Sequence, residues 1–154
     1  MAILKIVKFG DPMLRKVSRP VTEITPRILT LLDDMVDTMR NAGGCGLAAV
    51  QVGVLRRIVV IETPEGLFEL INPVIIKKSG CQESAEGCLS LPGKWGLTKR
   101  PNKVTVEATD RIGQRYQLTG EGLLAKAICH EVDHLDGILY TDKVIRMLGA
   151  DEVE

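Results

Sequence analysis

The chain's two histidines, His130 and His134, stand four residues apart, with a glutamate directly after the first. In an α-helix, residues i and i+4 share a face, their Cβ atoms about 5–6 Å apart. Both imidazoles can then reach one metal ion. The run His130-Glu131-Val132-Asp133-His134 fits H-E-x-x-H, and Glu131 can reach a water on that ion. The feature demands a helix here. The apolar spacing places it at 121–135, led in by Gly120–Gly122 and ended by Asp136-Gly137.

A catalytic site of this kind needs a third protein ligand and one open position. After His134 there is neither His nor Cys, and the acids that remain read as a solvated turn and tail. Upstream stand four cysteines, Cys45, Cys81, Cys88 and Cys129. Cys88 lies in the loop-like segment EGCLSLPG, residues 86–93, which could approach the helix. Cys129 adjoins His130 but points about 100° away around the helix, and reads as a small buried hydrophobe. Cys45 and Cys81 are open readings, with packing favoured for each. No C-x-x-C pair occurs, and the opening MAILKIVKFGDP is too short an apolar run, broken by Lys5 and Lys8, for a signal peptide. Reduced thiols in a cytoplasm are expected.

Composition narrows the rest. At 154 residues the prior is a single domain, 1–154. Twenty basic residues balance twenty acidic ones, which argues against a chain devoted to phosphates or anionic membrane. Aromatics are 3%, too few for a stacking platform on single-stranded nucleic acid. No direct nucleic-acid binding is expected, and no apolar stretch approaches the ~20 residues of a membrane span.

Asp11-Pro12 reads as the start of a short helical turn. Thr25-Pro26 repeats the signal, and Ile28, Leu31, Leu32, Met35 and Met39 then keep helical spacing up to Asn41-Ala42-Gly43-Gly44, giving a helix over 25–41. The middle reads as strands: 57–62 and 67–72 around the turn Thr63-Pro64-Glu65-Gly66, then 73–78, 103–109 and 115–119. The fold class is α+β, mixed or antiparallel strands around a central metal-binding helix. The glycine-rich stretch 43–53 lacks Gly-Lys-Ser/Thr and opens no helix; its glycines would let a backbone approach a ligand closely, and a tight turn into a strand explains them equally well.

Three segments together, GCGLAAVQ (44–51), EGCLS (86–90) and HEVDH (130–134), resemble in order and spacing the signature motifs of the peptide deformylases. The resemblance spans nearly the whole chain, from KFGDPMLRK to GLLAKAICHEVDHLDG. It implies a metal-dependent hydrolase that removes the N-formyl group from the N-terminal methionine of newly made polypeptides, releasing formate. Carried over by residue, Cys88, His130 and His134 become the metal ligands and Glu131 the general acid/base. Gln51, through its amide, and Leu89, through its backbone N–H, bind the developing oxyanion. Gly44, Gly46, Leu47 and Glu86 meet the substrate, and Leu123, Lys126 and Ala127 line its methionine pocket. The Lys126 stem can line that pocket while its head reaches water. Glu86 and Arg100 can pair behind the site. The implied cofactor is one divalent ion, Fe2+ in the cell, replaceable by Zn2+, Ni2+ or Co2+. The implied partners are N-formylmethionyl nascent peptides. Many members add a long, often basic C-terminal helix implicated in ribosome docking; here acidic residues follow Lys143 and Arg146, so transient ribosome association would need another route.

Two other readings share part of this pattern. A zincin-type endopeptidase shares H-E-x-x-H but leaves EGCLS without a purpose. A non-catalytic metal-binding module would show four protein ligands.

Overall fold

The computed structural model describes residues 2–152. Asp11 caps a 3-10 turn, Pro12–Arg15, by accepting the Met13 N–H at 2.9 Å. Helix α1 is Pro26–Asn41. Thr25 Oγ1 accepts the Ile28 N–H, and Pro26 occupies the first turn, where a missing N–H costs nothing. Leu32, Met35, Val36 and Met39 are buried, so the apolar face faces the core as its spacing predicts. Gly43, at φ 73°, ends the helix, and the Gly44 N–H returns to the Met39 carbonyl.

The strands are β1 Gly46–Ala48, β2 Ile58–Thr63, β3 Gly66–Ser79, β4 Gln82–Cys88, β5 Leu91–Arg100, β6 Lys103–Thr109, β7 Arg115–Glu121 and β8 Val144–Met147. They form two antiparallel sheets, β1-β2-β3-β6-β7 and β4-β5-β8. The expected α+β class holds, with antiparallel ladders. The candidates 67–72 and 73–78 are halves of one strand. Its register shifts between Ile71 and Val74, where Asn72 adopts φ 52° and its amide bonds both the N–H and the carbonyl of Val21 at 2.8 Å. β4, β5 and β8 were not expected. Pro92, Gly93 and Gly96 are poor strand formers, and the β4–β5 hairpin is held by pairing that no local alternation announces.

Helix α2, Leu123–Leu135, packs on β1, β2, β6 and β7 on one side and reaches β5 on another. Ala125, Ile128, Val132 and Leu135 bury against Val59, Ile61, Val104 and Val106. The apolar half of the helix is thereby fixed, and its histidine face is turned toward the second sheet. No helix among the described residues is long and apolar enough to cross a membrane.

Candidate metal centre and cleft

The second sheet delivers Cys88 to the helix. EGC is not a loop: Glu86, Gly87 and Cys88 end strand β4, and a tight turn leads into β5. Cys88 Sγ lies 3.3 Å from His134 Nε2. Cys88, His130 and His134 each bring a ligand atom within 4.8 Å of the other two. One thiolate and two imidazoles suit a tetrahedral divalent ion with a fourth position left over. His134 Nδ1 and Glu131 Oε1 are buried without a hydrogen-bond partner among the described residues. Burial, reinforced by His130, drives the His134 pKa down to about 3, so its ring is a neutral ligand. Burial also opposes charge on His130, but Glu131, Cys88 and Glu86 outweigh it and raise its pKa. Those acids surround a point that calls for positive charge, and the donor set fits a metal cation.

His130 is oriented from behind. Its Nδ1 meets Glu86 Oε2 at 2.5 Å, which leaves Nε2 facing the cluster. Arg100 grips the same carboxylate through Nε at 2.9 Å and a terminal N–H at 2.7 Å, and Thr98 donates to it at 2.8 Å. The expected Glu86–Arg100 pair therefore forms, 3% exposed on both sides. Burial would raise the Glu86 pKa; the bonds from His130 and Arg100 override it and hold the carboxyl well below the usual range. That carboxylate is fully engaged inside the protein, so its side chain is not free for a substrate. Arg100 also donates to Asp133 on α2 at 2.8 Å, and Lys143 reaches Asp133 at 3.1 Å. Tyr140 lies against the His130 ring at 5.9 Å between centroids.

The glycine-rich stretch holds a helical turn after all. Ala49–Val52 form a 3-10 turn because the Gln51 side chain folds back and its carbonyl oxygen accepts the Ala48 N–H at 2.9 Å. With its oxygen turned to the Ala48 N–H, the Gln51 amide presents its N–H groups toward Cys88 and Ser90. Nε2 donates to Ser90 Oγ at 3.0 Å and lies 3.5 Å from Cys88 Sγ. Ser90 was within the motif but not singled out. Nor were Thr98, Asp133 and Tyr140; only Asp133, one turn from His130 on the helix, carried a positional signal.

Gly44 and Gly46 are small for a reason. A Cβ on Gly46 would sit 2.5 Å from Glu131 Oε2, and one on Gly44 would sit 2.6 Å from the Leu89 side chain. Gly46→Ala is expected to displace the Glu131 carboxylate and cost at least about tenfold in kcat with little loss of stability. Steady-state kinetics beside a thermal melt check this. A kcat within twofold of wild type would show that Glu131 can give way. Leu47 is wholly buried between α1 and the sheet, so its side chain does not reach a ligand; only its backbone, on edge strand β1, is placed to do so.

A cleft of about 430 Å³ opens beside the cluster. Gly43–Gly46 form one wall, 85–89 and 91–95 another, and Leu123, Lys126 and Ala127 the helix side. Trp95 lies on this rim, 42% exposed, with its ring over Gly87, where a Cβ would meet it at 2.8 Å. Lys126 does not send its head to water alone: Nζ donates to the Ala85 carbonyl at 2.9 Å and meets Ser84 Oγ at 3.2 Å. Cys129 is buried as expected; Cys45 and Cys81 are exposed, at the cleft and in the β3–β4 turn, rather than packed. Burial, mainly, pushes the Glu131 pKa up to about 7, with His130 opposing and Glu86 reinforcing. A carboxyl poised there can both take and give a proton near neutrality.

Residues 3–148 match the family model of polypeptide deformylase. The chain belongs to the polypeptide deformylase family. It is a hydrolase, and the family's activity is removal of the N-formyl group from new polypeptides. It is 56% identical to the peptide deformylase of Caldanaerobacter subterraneus over all of this chain and 97% of that one. It is 57% identical to that of Acetivibrio thermocellus over all of this chain and 91% of the other. Among solved structures, the peptide deformylase of Legionella pneumophila superposes with TM-score 0.90 at 44% identity, covering 93% of this chain and 86% of that one. That of Synechococcus elongatus, solved with actinonin, gives 0.89 at 38% identity over 92% and 78%.

Proposed function

We propose that the chain, as one catalytic unit over 1–154 with α2 as its central metal-binding helix, deformylates N-formylmethionyl peptides at the Cys88–His130–His134 cluster. The observation that carries this is the convergence of those three donors beside a cleft in which Glu131 keeps a buried oxygen without a partner among the described residues. Cys88 Sγ and the two imidazoles would hold one divalent ion, Fe2+ in the cell, with Zn2+, Ni2+ or Co2+ as substitutes. When bound, such an ion supplies Lewis acidity toward a water and a carbonyl oxygen.

The protein's own groups do the rest. Glu131 takes the proton of the attacking water as the new C–O bond forms at the formyl carbon. The carbonyl oxygen becomes an oxyanion, stabilised by the Gln51 amide N–H and the Leu89 backbone N–H; one such donor is worth about 3–4 kcal/mol. Glu131 then returns the proton to the departing amine as the C–N bond breaks, giving formate and a free methionyl amine. Gly44 and Gly46 leave room for the small formyl group, and Gly46 and Leu47 offer main-chain groups on edge strand β1 to an extended peptide. Leu123, Lys126 and Ala127 receive the methionine side chain, while Glu86 serves through His130. The same reading sets N-formylmethionyl nascent peptides as the partner, a cytoplasmic location, and transient association with the ribosome.

The test is metal-loaded protein, handled anaerobically, given a formyl-Met peptide and its unformylated twin. Formate equal in amount to new free amine, with the twin untouched, is expected. Cleavage of internal bonds in the twin without formate would establish an endopeptidase instead. No formate at all overturns the reading.

A further inference from the structure

Helix α2 sets out the cleft as a ladder. Leu123, Lys126, Ala127 and His130 follow the i, i+3, i+4, i+7 spacing of one face, so Lys126 stands one turn before His130. A side chain that enters beside His130 and runs along the helix meets the Lys126 head about one turn away. Leu123 and Ala127 beside it are apolar, and Gly87 and Trp95 face them across the cleft. An ammonium is out of place at the end of an apolar slot unless it is held there. Here it is held by the Ala85 carbonyl at 2.9 Å and Ser84 Oγ at 3.2 Å, both on β4. An ammonium has three N–H donors and no acceptor. Two are committed to β4, and the third has no protein acceptor among the described residues, on a side chain that lines the cleft.

We infer that this third N–H makes Lys126 a specificity-determining residue, admitting substrates whose first side chain ends in an oxygen acceptor, methionine sulfoxide above all. This rests on the deformylase reading and names a further substrate class for the same site. An apolar pocket rejects a sulfoxide because its strongly polar oxygen would be desolvated without a partner. A charged N–H aimed at that oxygen removes the penalty and forms a charge-assisted bond. The thioether of unoxidised methionine, a weak acceptor, enters by apolar contact with Leu123 and Ala127. Sites that donate to a substrate oxygen separate it sharply from a mismatched pocket.

The experiment compares kcat/KM for a formyl-Met peptide and the same peptide carrying formyl-methionine sulfoxide. Wild-type metal-loaded protein is expected to use the sulfoxide within about tenfold of the thioether. In Lys126→Met, of similar length and without a donor, the sulfoxide-to-thioether ratio falls at least about tenfold. In Lys126→Arg, which keeps N–H donors, the ratio recovers most of that loss. Binding of the two deformylated product peptides, followed by titration calorimetry, provides a readout apart from turnover and should move in parallel. Thioether turnover with sulfoxide rejected by wild type, or an unchanged ratio in Lys126→Met, overturns the inference and leaves the deformylase reading standing. Absence of turnover on both peptides removes that reading instead.

Discussion

Glu131→Gln lowers kcat on formyl-Met peptides by about 10²–10⁴-fold while the protein keeps its fold and its metal. Gln matches Glu in shape but can neither take the water's proton nor hand one to the amine. The carboxylate is not one of the three donors in the cluster, so metal content by elemental analysis should match wild type. Stability should hold or rise. Glu131 is buried, Oε1 lacks a partner among the described residues, and its nearest cation-forming neighbour, His130 Nε2, is 3.9 Å from Oε2. Replacing a poorly solvated carboxyl with a neutral amide relieves part of that cost. Formate release, metal content and a urea titration decide the matter together. Turnover within tenfold of wild type would take Glu131 out of the mechanism.

Arg100→Leu is expected to cost about 3–5 kcal/mol of stability, the range for breaking a buried ion pair from one side. Glu86 is then left buried with Thr98 and His130 for company. Asp133 suffers less, since Lys143 remains 3.1 Å away. The loss should also reach the metal. Without Arg100 to fix Glu86, the ring of His130 is less firmly aimed, and such outer partners are worth about 10–100-fold in metal affinity. Urea unfolding and competition with a chelator measure the two effects. A loss under 1 kcal/mol with unchanged affinity would reduce the pair to an ornament. Acid should attack the same support. The folded Glu86 pKa is depressed, so its contribution is complete above the ordinary carboxylate range and disappears as pH falls toward the folded value.

Much of this was legible in the residues because its signals are local. Thr25-Pro26 and Gly43 mark both ends of α1, and the spacing of Met35 and Met39 gives its buried face. His130 and His134 needed only the helical repeat. What stayed hidden depends on distant pairing. β4 and β5 carry glycine, proline and lysine and owe their state to each other, so EGC read as a loop. The turn at Ala49 is made by the Gln51 side chain returning to its own backbone, which propensity does not report. Leu47 was placed by motif on the substrate side, but strand alternation sends its side chain into the α1 core. The Lys126 tether joins residues about forty apart in sequence.

Trp95 is the chain's sole tryptophan, and its ring rests on Gly87 at the mouth of the cleft. Every photon of indole emission therefore comes from one place, within the hairpin that carries Cys88. The molecule comes with its own dye. Peptide arrival, loss of the ion or a shift of the β4–β5 hairpin can each be followed by light from the unmodified protein, on the timescale of mixing.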